Sequence, residues 1–180
     1  LMLAAEELWG TEVPERAEYA RVILAELNRL ASHFMFYASF GLDVGFTSPT
    51  MFGWWTREAI QDVFEAVTGA RLLHNYLAVG GLRMDLPPDF KDAVAGLLPE
   101  VEKGIDQCNG LITDSEVFQA RTKGVNPLSV DEAARLGLTG PMLRAAGLPR
   151  DLRKLLSYSI YDRFDFEIPV GENGDLFDRY

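Results

Sequence analysis

The stretch from Pro14 to Asp43, PERAEYARVILAELNRLASHFMFYASFGLD, constrains this chain more than any other. Pro14 suits the first position of a helix, where a missing N–H costs nothing. Glu15 follows in the first turn, where the helix dipole favours negative charge. Ala20, Ile23, Leu24, Leu27, Leu30, Ala31 and Phe34 recur at three- and four-residue steps and form one apolar stripe, with Glu18, Arg21, Glu26 and Arg29 off it. From Phe34 to Leu42 the polar face nearly vanishes, which predicts a change from a surface helix to a buried one. At about 1.5 Å per residue the helix runs roughly 40 Å, enough to cross a small domain. It ends at Gly41-Leu42-Asp43-Val44-Gly45, leaving Asp43 as a carboxylate at the inner end of an apolar helix.

The remaining punctuation predicts a mainly α chain. Leu1 to Leu8 reads as a helix closed by Gly10. Phe46-Thr47-Ser48-Pro49 supplies a hydroxyl cap and a proline for a second long helix that stops at Gly69. An extended piece through Val79 closes at Gly80-Gly81. Pro88 to Thr113 reads as a third helix, kinked near Pro99. Beyond Asp114 the elements shorten. Brief helices are expected over Ser115 to Thr122, Val130 to Leu136 and Asp151 to Leu155, with glycine-rich turns from Gly137 to Gly147. Phe164 to Val170 alternates in polarity and reads as an edge strand ending at Pro169. A length of 180 residues is compatible with a single domain over 1–180. Leu1 enters mid-helix without a cap and Gly174 to Tyr180 looks like a helix just starting, so an internal piece of a longer subunit is expected.

Charge and cysteine usage narrow the function classes. A formal net charge of −10 argues against nucleic acid and against an anionic membrane surface as a direct ligand. The single Cys108 cannot make an intramolecular disulfide or hold an iron–sulfur cluster or a thiolate zinc site alone. No apolar run reaches eighteen residues, so no transmembrane helix is expected.

Two constellations carry chemistry. Met35, Ser39 and Asp43 lie at i, i+4 and i+8 on one face of the long helix. A thioether, a hydroxyl and a carboxylate on an apolar wall suit a flat, weakly polar ligand. The same residues also read as a core methionine, a back-bonded serine and a helix-end aspartate. Phe46, Thr50 and Trp54 extend an aromatic patch just beyond. Glu58, Asp62 and Glu65 make an acidic face that suggests either a metal site or ion pairs. Di-iron bundles need Glu-x-x-His pairs and none occurs, so no metal is expected and Arg57 and Arg71 are the expected partners of Glu58 and Glu65. His33 and His74, the only histidines, have no ligand partner at helical spacing, and His33 reads as a satisfied core or interface residue. No phosphate loop or nucleophile elbow is present.

The chain as a whole resembles a known family. Pro14-Glu15-Arg16-Ala17, Glu26-Leu27-Asn28-Arg29-Leu30, Ser32-His33, Asp43-Val44-Gly45, Arg57-Glu58, Thr68-Gly69-Ala70-Arg71, Gly80-Gly81, Asp85-Leu86-Pro87, Gly137-Leu138-Thr139-Gly140 and Gly174 through Arg179 resemble, in order, the quinone-site subunit of respiratory complex I. Complex I is the proton-pumping NADH:quinone oxidoreductase. The resemblance implies the long-helix core of a fold shared with the nickel–iron hydrogenase large subunit, without its metal-binding cysteines. It implies a quinone headgroup cavity lined or flanked by Met35, Ser39, Asp43, Phe46, Thr50 and Trp54. In that cavity Asp43 supports a histidine which, with a tyrosine, belongs upstream of Leu1. It further implies flavin and iron–sulfur clusters in partner subunits, contact with the terminal-cluster subunit and the membrane arm, and a peripheral place on the cytoplasmic side of the inner membrane. Two positions depart from the pattern: Leu73 stands where many relatives have histidine, and Ala78 where they often have arginine. Such departures suit the alternative of a divergent, non-catalytic docking module.

Overall fold

The computed structural model describes residues 1–180. The chain is mainly helical, and its contacts gather into two compact units, Leu1–Ile112 and Thr113–Tyr180.

In the first unit, helix α1 (Met2–Trp9) ends at Gly10, whose positive φ of 63° lets its N–H turn back to the Glu6 and Glu7 carbonyls. Helix α2 (Glu15–Asp43) is entered from Pro14, whose carbonyl accepts from the N–H groups of Ala17 and Glu18. Helix α3 (Ser48–Thr68) has Pro49 in its first turn and Gly69 in the left-handed conformation at its end. The expected hydroxyl cap does not form: Thr47 precedes the helix in a helical conformation and makes no side-chain cap bond, so the proline and the tight turn set the entry. A two-residue hairpin, β1 (Leu77–Ala78) with β2 (Gly81–Leu82), pairs Leu77 with Leu82 and Ala78 with Gly81. Helix α4 (Phe90–Cys108) continues through Pro99 and gives way to one π-helical turn over Asn109–Thr113, the end of the segment expected as a single helix kinked near Pro99.

The core of this unit lies among the three long helices. Leu24, Leu27, Ala31 and Phe34 of α2 meet Ile60, Val63, Phe64 and Val67 of α3, and Leu97, Val101 and Cys108 of α4 complete it. Small residues set how closely the helices approach. A Cβ on Gly53 would lie 2.9 Å from the Phe34 carbonyl oxygen and 3.2 Å from Ala38 Cβ. A Cβ on Gly104 would lie 2.6 Å from Thr56 Cγ2. These glycines bring α3 against both neighbours at near-backbone distance.

The segment from Phe34 to Leu42 departs from expectation. Phe34, Ala38 and Gly41 are buried, but Met35, Phe36 and Leu42 are half exposed and Ser39 and Asp43 are exposed. The polar face is missing because this side is apolar, yet nothing within the unit covers it. His33 is likewise on the exposed side, whereas a core position was one expectation.

In the second unit, α5 (Glu116–Thr122) is capped by the Ser115 hydroxyl, and α6 (Val130–Arg135) by a reciprocal Ser129–Glu132 capping box. Gly140–Ala145 forms α7, where only turns were expected; Thr139 is extended and Pro141 starts the helix. Asp151 caps α8 (Leu152–Leu155), and Asp175 caps α9 (Leu176–Arg179). Phe118 is fully buried, with Tyr180 and Phe177 at ring distances of 4.6 and 6.0 Å. The expected strand over 164–170 is not formed. A single extended segment gains ladder bonds only from a partner strand, and the hairpin of the first unit is the whole sheet content.

Candidate functional site

The end of α2 and the start of α3 are joined by backbone. The N–H of Phe46 donates to the Gly41 carbonyl at 2.7 Å, and the N–H of Val44 to that of Phe40 at 3.1 Å. One turn into α3, Thr50 Oγ1 donates to the Ala38 carbonyl at 3.0 Å. This bond ties the helices together and commits the Thr50 hydroxyl. With Gly53 seated on Phe34, the α2–α3 corner becomes a rigid shelf.

On that shelf the outward stripe of α2 presents Met35, Ser39 and Asp43 at successive turns, all exposed. Phe36 and Phe40 stack beside the stripe with ring centroids 5.4 Å apart. From α3 come the half-buried Thr50 and the exposed Met51, Trp54 and Trp55; Phe46 is half-buried in the connecting turn. The surface is therefore broad and apolar with one carboxylate at its edge. Arg57, expected beside the acidic face, instead lies over the Trp54 ring, 5.2 Å from its centroid, and its Nε is buried without a hydrogen-bond partner. The cation gains from the ring's π-face what it lacks from a carboxylate.

The acidic face belongs to Arg71. Its guanidinium donates to Glu58 at 2.5 Å, Asp62 at 2.7 Å and Glu65 at 2.6 Å, so a single arginine answers three carboxylates on successive turns of α3. Their hydrogen bonds, led by that to Asp62, push the arginine pKa further up. His74 stacks flat on Phe64, 3.8 Å between centroids, and its ring nitrogen lies 3.1 Å from the Arg71 carbonyl oxygen. Cys108 is buried in the core, where desolvation raises its thiol pKa. One inward-facing thiol cannot supply the four thiolates of a cluster, so the residues of this chain do not fit an iron–sulfur centre.

Sequence reasoning missed a second polar centre. Glu6 of α1 and Arg21 of α2 are both buried. Arg21 Nη1 and Nη2 donate to the two Glu6 oxygens at 3.0 and 2.6 Å. Arg21 also donates to the carbonyls of Ala78 and Gly81, and the Gly80 N–H donates to Glu6 Oε1 at 2.7 Å. The pair thus pins the hairpin to the two helices. The signal available was Arg21 lying off the apolar stripe of a helix beside glycines that leave backbone groups open.

Comparison with known proteins agrees with this architecture. A family profile described as "Respiratory-chain NADH dehydrogenase, 49 Kd subunit" matches residues 43–180. A relative from Clostridium beijerinckii, named as a subunit of NADH-quinone oxidoreductase, is 46% identical over 175 residues, covering 97% of this chain and 47% of its own length. Relatives with the same name from Carboxydothermus hydrogenoformans and Citrifermentans bemidjiense are each 46% identical, covering 98% and 99% of this chain and 48% and 46% of their own. The chain spans about half the length of the curated relatives it matches. No helix in it is long and apolar enough to cross a membrane. With a profile match over most of its length and these identities, the chain belongs to the family of the respiratory-chain NADH dehydrogenase 49 kDa subunit.

Proposed function

We propose that this chain forms part of the quinone-binding subunit of an NADH:quinone oxidoreductase coupled to proton translocation. The carrying observation is the name its relatives share, that of an NADH-quinone oxidoreductase subunit, at 46% identity over nearly the whole chain. That shared name does not favour the docking-module alternative. Electrons from NADH pass through flavin and iron–sulfur clusters held by other subunits and arrive at quinone against this chain. Its partners are those subunits, above all the one with the terminal cluster and the membrane arm. Within the complex this subunit sits peripherally, on the cytoplasmic side of the membrane.

The exposed stripe supports this reading. A quinone ring is flat and apolar, with two carbonyl oxygens. Met35, Phe46 and Trp54 offer the apolar wall, Ser39 a hydroxyl, and the Thr50–Ala38 bond keeps that wall in place. Reduction to quinol takes two electrons and two protons. Asp43, at the end of the stripe, acts as a positioning carboxylate: it favours the charged form of a histidine brought to it by another part of the subunit and fixes that ring's orientation. The histidine, not Asp43, gives up one of the protons, and the tyrosine expected upstream of Leu1 supplies the other.

The test is Asp43→Asn in the intact complex. It keeps shape and removes charge, and it slows quinone reduction about ten- to a thousand-fold, the range of a lost 1.4–4 kcal/mol interaction. Electron transfer from NADH to an artificial acceptor ahead of the site stays at the parent rate. Quinone reduction at the parent rate in the variant would remove the role given to Asp43.

A further inference from the structure

The stripe of Met35, Ser39 and Asp43 has a supported back. Residues two positions apart on an α-helix stand about 200° apart around its axis, so Tyr37 and Gly41 lie on the side of α2 turned away from Ser39 and Asp43. Both rest on the π-helical turn that follows α4. The Tyr37 hydroxyl donates to Asn109 Oδ1 at 3.4 Å, at the first residue of the turn. Ile112, further along it, is fully buried but lies outside the core that the three long helices share. Its place is under the α2–α3 corner. A Cβ on Gly41 would lie 3.4 Å from Ile112 Cδ1, 3.3 Å from the Phe46 carbonyl oxygen and 3.5 Å from Pro49 Cβ. Asp43 stands on that corner, two residues beyond Gly41, and the Phe46 N–H closes it by donating to the Gly41 carbonyl at 2.7 Å. Single π turns are rare inside helices and gather at functional sites. Here the turn brings one side chain up beneath the corner that displays the carboxylate.

We propose that this π turn is the seat of the quinone site and that Ile112 is a positioning residue for quinone reduction. By filling the space beneath Gly41 it fixes how far the Asp43 carboxylate stands from the wall at Phe46 and Thr50. The proposal rests on the reading above, in which Asp43 orients a histidine that hands over a proton. That task depends on distance, since a misplacement of about 1 Å far from the reacting atoms costs about a hundredfold in rate. Ile112 touches neither quinone nor the reacting atoms, because it is sealed below the corner. The ring-binding wall has its own supports: Gly53 seats α3 on the Phe34 carbonyl, and the Thr50 hydroxyl is tied to that of Ala38. The turn therefore governs the chemical step and leaves binding of the ring alone.

The experiment compares Ile112→Val, Gly41→Ala and the two together in the intact complex, with Val101→Ala as a control. Ile112→Val deletes the methyl group nearest Gly41, and Val101 is a buried α4 residue of the shared core. Ile112→Val is expected to lower kcat for quinone about fivefold or more while KM stays within about twofold of the parent, the pattern of an interaction made only in the transition state. Electron transfer from NADH to an artificial acceptor stays at the parent rate. Gly41→Ala does the same by lifting the corner off its seat. The double variant returns kcat to within about twofold of the parent, because the alanine methyl takes the room that the isoleucine methyl leaves. Val101→Ala lowers the melting temperature and leaves both constants in place. An assembled Ile112→Val complex with the parent kcat would overturn the proposal. So would an equal loss of kcat in Val101→Ala, or a double variant no faster than the slower single, since each makes Ile112 ordinary packing. Asp43→Asn tells the two possible failures apart: if it also turns over at the parent rate, the functional reading falls; if it is slow while Ile112→Val is not, only the seat falls.

Discussion

Arg21 of α2 meets Glu6 of α1 in a buried, two-point ion pair, with Nη2 2.6 Å from Oε1 and Nη1 3.0 Å from Oε2. The residues are fifteen positions apart, and through the Ala78, Gly80 and Gly81 backbone the same pair reaches the hairpin. Its worth therefore lies less in attraction between two charges than in fastening three segments at one point. Removing either partner leaves the other charged and buried.

Glu6→Gln is expected to destabilise the chain by about 3 kcal/mol, because the buried guanidinium loses its two-point partner and keeps only Glu18, 3.5 Å away, as counter-charge. At roughly 2–4 °C per kcal/mol for a chain of this size, the melting temperature falls about 6–12 °C. The paired change Glu6→Leu with Arg21→Met recovers part of that loss, since neither member of the buried two-point pair is left without the other. Thermal melts of the three proteins check this, and a single variant that melts with the parent would refute it.

The same pair gives a pH dependence with a definite sign. The hydrogen bonds from Arg21, against the opposing effect of burial, hold the Glu6 carboxyl below its ordinary value of 4.5. A lowered folded-state pKa adds stability above the unfolded value, and that stability fades as pH falls below it. The gap in melting temperature between parent and Glu6→Gln is thus constant near neutrality and narrows below about pH 4.5. A gap that stays unchanged down to about pH 3 would contradict this account.

At the α3–α4 contact the decisive pair is Gly104 and Thr56. A Cβ on Gly104 meets Thr56 Oγ1 and Cγ2, and Thr56 itself is buried with its hydroxyl donating to the Phe52 carbonyl. Gly104→Ala is expected to cost about 1–3 kcal/mol through overpacking, despite the helix propensity alanine brings. Adding Thr56→Ala relieves most of the clash, so the two changes are coupled by about 1 kcal/mol or more. Additive losses in a double-mutant cycle would show that the helices can simply move apart.

Gly174 makes the corresponding case in the second unit. It has φ 63°, and a Cβ there would run into the Leu128 carbonyl, while its own carbonyl accepts from the Leu128 N–H at 3.0 Å. Next to it, buried Asp175 accepts from the Gly124 and Asp178 N–H groups; burial works against the carboxylate, yet these donors keep its pKa low. Gly174→Ala is expected to cost about 2 kcal/mol or more, from the unfavourable φ together with the collision. Faster proteolysis within residues 124–130 and 172–180 is the accompanying readout, and unchanged cleavage there would count against the assignment.

Much of this was legible in the sequence because local rules act locally. Gly10 and Gly69 end helices where their missing Cβ permits, and Ser129 caps where its oxygen reaches an N–H three residues on; the short helices capped by Ser115, Asp151 and Asp175 were expected, their caps were not. What failed were inferences that depend on a neighbour. Phe164 to Val170 alternates like a strand but has no strand to pair with. Phe34 to Leu42 is apolar enough to be buried, but hydrophobicity does not say whether the cover comes from the same chain. Arg21 lies off the apolar stripe of α2, and only the fold shows it buried with Glu6 against the Gly80–Gly81 backbone. The Met35–Ser39–Asp43 spacing was visible as a stripe; its exposure was not.

That exposure makes the stripe itself testable. Ser39 lies between Met35 and Asp43 on the outward side of α2, where a larger side chain meets no part of this chain's core. Ser39→Trp should therefore leave folding intact while filling the surface where a quinone ring would lie. In the intact complex, KM for quinone should rise about tenfold or more, the effect of about 1.4 kcal/mol of lost binding. Electron transfer from NADH to an artificial acceptor should hold at the parent rate. Ser39→Ala, which removes only the hydroxyl, should raise KM much less, within the span of a single neutral hydrogen bond of about 0.5–1.5 kcal/mol. The ordering Trp above Ala above parent separates a wall that contacts substrate from a surface that merely packs against a neighbouring subunit, because a packing surface would lose assembly in the tryptophan variant before it lost quinone affinity. An unchanged KM in a fully assembled Ser39→Trp complex would place the quinone elsewhere.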